Sequence, residues 1–339
     1  MEQYICTAES LPTLWGPLAH VDREETYLKC QSEPVISNNR YKNEIFQASR
    51  DNYLAACNKY MNREWSSCKT KIGKRPLLFL NNNENMPKIY FHSEYFDYTC
   101  AKEGHIWVSF ANKHLGGGYK NTGWVQEEII TAEFYEMAVG ITEYEKLKLN
   151  IMDIDEAVIW INLVRGSEAL LDKYGGRHLR SENRKTFNVD NYLVPLKKER
   201  VLADFISIDA PNRKDRSKPY TLLELQHLFV KALAGFETCA IFDRKIIHTG
   251  NWGAGAFNND PELIFWVQVL VAKLVGIREI HFWGTKDVTD NKRINHLMEK
   301  FFNDPCIVDI TFSDLYGRTQ GLFGIKHDLA VIFDHIITQ

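Results

Sequence analysis

Two adjacent carboxylates, Glu127 and Glu128, follow a glycine triplet, Gly116–Gly118, in the stretch SFANKHLGGGYKNTGWVQEEII, Ser109–Ile130. Glycines lack Cβ and let ligand atoms come close to the main chain. A helix beginning after such a loop presents unpaired N–H groups and a partial positive charge, which suits a phosphate. The plain alternative for a lone triplet is a mobile turn. Acids in a first helical turn are common because the helix dipole favours them. That accounts for one glutamate, but two beside a phosphate loop would repel an anion. Consecutive helical residues point about 100° apart, so one acid can hold a ligand hydroxyl while its neighbour faces a bond to be broken. A carboxyl group near phosphates has a raised pKa, as a general acid needs when it protonates a sugar leaving group.

A second glycine loop strengthens the phosphate reading. In HTGNWGAGAFNNDPEL a strand is followed by Gly250, Asn251, Gly253, Ala254, Gly255, Ala256 and Phe257. Asp260 then suits an N-cap and Pro261 the first helical position. The helix that follows is apolar almost all round and must be buried, which holds the loop above a sheet. Two strand–glycine–helix turns in one domain suggest a diphosphate gripped from both sides, outside the carboxyl ends of strands. Asp209, in SIDAPN, also stands at a strand end, as a ligand contact or as the cap of its own turn.

The elements that position these loops follow from the pattern. KIYFH, HIWVSFA, AVIWINLV, ADFISID, CAIFDRKIIHTG and EIHFWG are rich in Ile, Val, Phe and Trp and read as strands. Helices are expected over Trp124–Val139, Thr221–Ala234, Pro261–Val275 and Asp290–Phe302. This alternation predicts an α/β fold, a mixed sheet sandwiched by helices. Tyr41 to about Thr70 has helical spacing, with Ile45, Tyr53, Leu54, Cys57 and Met61 able to share a face. KTKIGKRP then breaks the pattern with charge, Gly73 and Pro76. Residues 1–75 therefore read as a helical accessory region and 76–339 as the catalytic domain. Lys69, Lys71, Lys74 and Arg75 read as a solvated linker. Tyr174–Arg200 is polar and reads as a long surface loop or flap, the kind that tends to be functional.

Composition bounds the rest. The 339 residues are 45% hydrophobic and 25% charged, with a net charge of -3, so no global basic field draws the chain onto nucleic acid. Seven scattered cysteines without a CxxC pair fit a reducing compartment. Without a signal-peptide core or a membrane-length apolar run, the expectation is a soluble cytoplasmic or nuclear protein, with signal-less export left open. His114 has no spaced partners for a metal, and neither glycine loop ends in the GKS/T of a nucleotide-hydrolysing phosphate loop.

FANKHLGGGYKNTGWVQEEI resembles the signature of the poly(ADP-ribose) glycohydrolases, and HTGNWGAGAFNNDPEL and FISIDA resemble that family's second loop and intervening strand. The resemblance covers roughly Ile106–Ile130 and Phe205–Gly284. It implies a macrodomain fold preceded by an accessory helical region. It also implies that Glu128 is the catalytic acid/base, that Glu127 and Asn112 hold the distal ribose, and that Gln126 contacts the ligand nearby. Gly116, Gly117, Gly118 and the loop Gly250–Phe257 would enclose the diphosphate and ribose. Trp283 would lie beside the adenine, or be a core aromatic at a strand end. Tyr174 is the nearest candidate for the family's flap tyrosine. The implied partners are ADP-ribose, poly(ADP-ribose) or ADP-ribosylated protein, with neither metal nor redox cofactor required. Two departures stand out: Ser109 replaces the aspartate that the family places before FAN, and the flap differs. The linkage cut is therefore open between polymer bonds and a single ADP-ribose on a protein side chain, and a non-catalytic ADP-ribose reader is the alternative from another class.

Overall fold

The computed structural model describes residues 22–61, 63–71, 87–196, 201–215, 217–218 and 220–284. The helix expected over Asp290–Phe302, with Lys74 and Arg75, lies outside them. Nine strands are described: β1 (Ser66–Lys71), β2 (Lys88–His92), β3 (His105–Ala111), β4 (Glu156–Val164), β5 (Ser167–Ala169), β6 (Leu193–Pro195), β7 (Leu202–Asp209), β8 (Ile246–Gly250) and β9 (Glu279–Trp283). Seven form one mixed sheet in the order β1-β4-β7-β3-β8-β9-β2, and β5 pairs with β6 separately. From β7 to β2 every pairing is parallel, while β1 and β4 run antiparallel to their neighbours. The helices are α1 (Arg23–Ser32), α2 (Arg40–Cys57), α3 (Gln126–Glu133), α4 (Tyr135–Lys146), α5 (Gly176–Ser181), α6 (Leu222–Ile241) and α7 (Pro261–Val275). No described helix is long and apolar enough to cross a membrane.

Alternation along the strands sends residues to two cores. Ile106 and Val108 of β3, Ile206 and Ile208 of β7, and Ile247 of β8 pack with Leu228, Ile264 and Leu270 of α6 and α7. On the opposite face Trp107, Trp160 and Phe205 pack with Phe46 of α2, Ile130 of α3 and Met137 of α4. The result is the expected sandwich, helices covering both faces of a largely parallel sheet. Helix α7 begins and ends as its sequence dictates. The Asp260 carboxylate accepts the Leu263 N–H at 3.0 Å, Pro261 opens the helix, and Gly276 closes it in the left-handed region at φ 74°.

Five readings of the sequence give way to the structure. The helix expected to continue to Thr70 ends at Cys57, followed by one 3-10 turn, and Ser66–Lys71 is the edge strand paired with β4. Its lysines are not a free linker: Lys69 pairs with Glu156 at 2.7 Å and Lys71 with Asp155 at 3.2 Å. The helix expected over Trp124–Val139 is two helices broken at Phe134, whose ring is buried edge-on against Phe205 and Tyr98. Cys239–Ile241, expected to start a strand, ends α6, and the strand begins only at Ile246. The polar segment from Tyr174 is partly regular. It carries α5, a 3-10 turn and β6, and its Leu179, Tyr192 and Leu193 join Trp124 and Ile129 in a third buried cluster.

One buried ion pair ties the N-terminal helices to the sheet. Arg23 of α1 is wholly buried and donates from Nε to Glu136 of α4 at 2.7 Å, and its other nitrogens reach the carbonyls of Tyr60, Arg63 and Asn162. The Glu136 carboxylate also accepts from the Tyr53 hydroxyl at 2.9 Å and the Val164 N–H at 2.8 Å. Burial raises its pKa, against the pull of Arg23. Arg23→Met would strand this carboxylate, and loss of one partner of a buried pair costs about 3–5 kcal/mol. Urea unfolding should show that loss; a change within error would dismiss the pair as a tie between the helices and the sheet.

Candidate active site

The parallel strands end along one edge of the sheet. There the segments after β3, β7, β8 and β9 surround a cavity of about 500 Å³. Helix α3 points its N-terminus into it. This helix is pinned by its first residue, since Gln126 Oε1 accepts the Phe110 N–H at 2.7 Å while its Nε2 donates to the Val108 carbonyl at 2.8 Å. Gln126 thus lines the cavity but spends both ends of its amide on β3.

Both acids turn back onto the glycine loop. Glu127 Oε1 accepts the Gly116 N–H at 2.7 Å and its Oε2 the Asn112 N–H at 3.0 Å. Glu128 Oε1 accepts the Gly118 N–H at 3.1 Å and its Oε2 the Val125 N–H at 3.0 Å, the latter capping the helix. Each residue is 5% exposed. Burial raises both pKa values; Glu128 adds to the effect on Glu127, whereas Lys42 and the N–H donors oppose it at Glu128. The glycines are spatial requirements. A Cβ on Gly118 would lie 2.9 Å from Glu128 Oε1 and one on Gly123 2.6 Å from it. Gly117 has φ 46°, and a Cβ there would lie 2.7 Å from Glu127 Oε2.

The opposite wall is the second loop. Asn251, Gly253, Gly255, Ala256 and Phe257 line the cavity, and a Cβ on Gly255 would meet nothing within 4 Å. Gly117 and Gly118 face the same space, as do Asn112, Glu127 and Glu128. Four candidates stand outside the lining. Gly116 packs on Tyr119, Gly250 lets β8 approach the Trp283 carbonyl, and Ala254 is buried within its loop. Asp209 turns away to α6, pairing with Lys231 at 2.7 Å and His227 at 3.2 Å, which hold its pKa low against burial.

Tyr174 lines the cavity beside the acids. The residue is 39% exposed overall, while burial of its phenol pushes that group up to about 12. The Gly175 N–H donates to the Trp124 carbonyl at 2.7 Å, so the flap is fastened to the start of α3. Trp283 lines the other end. It stacks on His92 with centroids 3.9 Å apart and donates from Nε1 to His248 Nδ1 at 3.1 Å. That bond makes Nδ1 an acceptor, so the His248 proton sits on Nε2 and is given to His105 Nδ1 at 2.8 Å. Burial, reinforced by the neighbouring histidines, lowers the His248 pKa to about 2 and keeps the ring neutral. His114 forms a main-chain bridge with Ile151.

The sequence reading missed two features. An arm of the cavity reaches Arg165 and Glu133, paired at 2.9 Å, where Arg165 Nε and Glu133 Oε2 are buried without hydrogen-bond partners among the described residues. The other is Lys42 of α2, wholly buried behind Glu128. Its signal was available: a lysine three residues before Ile45, on the stripe that continues through Phe46, Ser49 and Tyr53.

Residues 79–291 match the family described as "Poly (ADP-ribose) glycohydrolase (PARG), Macro domain fold". Poly(ADP-ribose) glycohydrolase 1 of Caenorhabditis elegans is 28% identical over 249 residues, which are 72% of this chain and 31% of that protein. Poly(ADP-ribose) glycohydrolase 2 of the same organism is 28% identical over 200 residues, 58% of this chain and 40% of that one. The chain thus spans about a third of the length of these curated relatives. Among solved structures, the Thermomonospora curvata poly(ADP-ribose) glycohydrolase is similar with a TM-score of 0.45 and 14% identity, covering 81% of this chain and 95% of that one.

The raised pKa of Glu127 has a consequence for stability. A group whose folded pKa lies above its unfolded value gives its full stability below the unfolded pKa and loses it as pH rises through the folded one. Glu127→Gln removes that loss. Its melting temperature relative to the parent should therefore climb between pH 4 and pH 8; a constant difference across that range would show that Glu127 ionises without cost.

Proposed function

The chain belongs to the poly(ADP-ribose) glycohydrolase family, of macrodomain fold, and from that premise we propose that it hydrolyses the glycosidic bond at the anomeric carbon of ADP-ribose units and releases ADP-ribose. The observation that carries this reading is the pair of buried acids at the start of α3, facing a cavity walled by two glycine loops. The loops would take the diphosphate, whose charge needs close main-chain approach and N–H donors. Glu127, which already spans Asn112 and Gly116, would hold the ribose-binding loop in shape.

Glu128 would do the chemistry. In its protonated form it gives its proton to the departing oxygen as the bond from that oxygen to the anomeric carbon breaks. The ribosyl centre becomes an oxocarbenium ion, stabilised by the adjacent diphosphate. Water then adds to that carbon and returns a proton to the Glu128 carboxylate, restoring the acid. The raised pKa that burial gives Glu128 suits the first half, and its ionisation completes the second. Trp283 at the far end of the cavity would meet the adenine with the face that His92 leaves open.

We place the linkage preference in the flap, because it is fastened to Trp124 next to the acids. We favour polymer cleavage, with arginine-linked or other protein-linked mono-ADP-ribose as the competing substrate class. The compartment we propose is cytoplasmic or nuclear.

Glu128→Gln should lower turnover by about 10²–10⁴-fold or more while free ADP-ribose still binds in calorimetry. Retention of over about a tenth of the rate would remove Glu128 from this role, and a parent protein that binds without turnover would make the chain a reader. Deleting the whole flap would unpack Leu179, Tyr192 and Leu193, so a surface change tests it better. Arg180 donates to Thr122 at 3.0 Å from the exposed side. Arg180→Glu should alter the ratio of polymer to mono-ADP-ribosyl cleavage severalfold and leave product affinity unchanged; an unchanged ratio argues that the flap does not discriminate.

A further inference from the structure

We propose that Lys42, which lies outside the family-matched residues 79–291, is a positioning residue for the proposed reaction, anchoring the Gly123–Trp124 turn against the Glu128 carboxylate and supplying a buried counter-charge for it. The inference rests on the reading of Glu128 as the acid.

The contacts are contiguous. Asn39 caps α2 and accepts the Lys42 N–H at 3.0 Å, so the lysine enters on the first turn with its side chain directed inward. Its Nζ donates to the Gly123 carbonyl at 2.5 Å and sits 4.7 Å from the Trp124 ring centroid. Gly123 in turn lies flat against Glu128, for a Cβ there would come within 2.6 Å of Oε1. Gly123 thus contacts the ammonium through its carbonyl and the carboxylate through its Cα side. From Val125 the chain then enters α3, so the lysine also fixes the approach to the helix that carries the acids.

A pure packing role does not require an ammonium group. Burying one in an apolar setting is costly, and a Met or Leu would fill the space more cheaply. The charge is useful where Glu128 must ionise while only 5% exposed. The groups facing that carboxylate are Glu127 beside it on α3, which opposes ionisation, the neutral phenol of Tyr174 from the flap, and Lys42 from α2, which favours it. Burial and Lys42 act on Glu128 in opposite directions. Burial lowers the lysine itself to about 8, with Glu128 working to keep it charged. Each group therefore sets the other's proton affinity.

The test compares full-length Lys42→Met and Lys42→Arg with the parent over a pH series of kcat. A cation near a carboxylate depresses its pKa by about 1–3 units, so Lys42→Met should move the alkaline limb of the kcat profile upward by about one unit. The plateau of kcat should fall at all pH values, because the Gly123–Trp124 turn loses its anchor, while the affinity for free ADP-ribose changes little. Lys42→Arg should return the limb toward its parent position. Folded Lys42→Met with an unmoved limb overturns the proposal, as does equal loss in both variants without a shift, which marks a structural anchor only. If Lys42→Met fails to fold, Lys42→Gln serves with the same expectations. Carbon-13 NMR of labelled glutamate carboxyls, with the Glu128 signal assigned by its absence in Glu128→Gln, reads the ionisation without any substrate. A shifted Glu128 titration there supports the Lys42–Glu128 coupling even if no glycohydrolase activity is found, and an unshifted one overturns it.

Discussion

Two carboxylates taken out of water at the start of one helix are the constraint around which the cavity is arranged. Neither Glu127 nor Glu128 could stay there without partners, because an unpaired buried carboxylate is costly. The partners are main-chain N–H groups at Asn112, Gly116, Gly118 and Val125, which means the glycine loop must fold back over the helix it precedes. The same N–H groups that would serve a phosphate are partly spent on holding the acids. The loop's form and the acids' positions are therefore one structural fact. The close fit of Gly117, Gly118 and Gly123 follows from it, since a methyl at any of the three would intrude on a carboxylate oxygen.

The sheet supplies the rigid frame. Parallel strands β7, β3, β8 and β9 all deliver their C-terminal ends to one edge, where loops can converge without crossing. Antiparallel β4 and β1 extend the sheet on one side, and Arg23 links α1 to α4 beneath it. The division of the chain at residue 75 describes a change in composition. Physically, residues 22–71 provide the edge strand, a covering layer for Trp160 and Phe205, and the lysine behind Glu128.

The strands KIYFH and HIWVSFA and the helix Pro261–Val275 occur with the limits that the pattern predicts, because each is a short run of consistent propensity between clear breaks. The misread elements fail for identifiable reasons. β1 consists of Ser, Cys, Lys and Thr, without an apolar alternation to mark it, and it is a strand because β4 offers an antiparallel edge. The helix through Glu133 breaks because Glu133 turns to Arg165 while Phe134 drops between Tyr98 and Phe205, contacts 30 or more residues away. Asp209 reads as a ligand contact or a turn cap from its place at a strand end, but which side of that end it faces depends on Lys231, twenty-two residues later on α6.

The sequence by itself determined the α/β class, the two glycine loops and the paired acids, since spacing and residue type are enough to set those local features and the family to which they belong. Only the tertiary structure decided which oxygen of each acid meets which N–H, that Gln126 is occupied by β3, that Asp209 turns away, and that Lys42 stands behind Glu128. These depend on distances between segments far apart in the chain. Such distances are set by how the helices pack on the sheet, which a one-dimensional pattern does not contain.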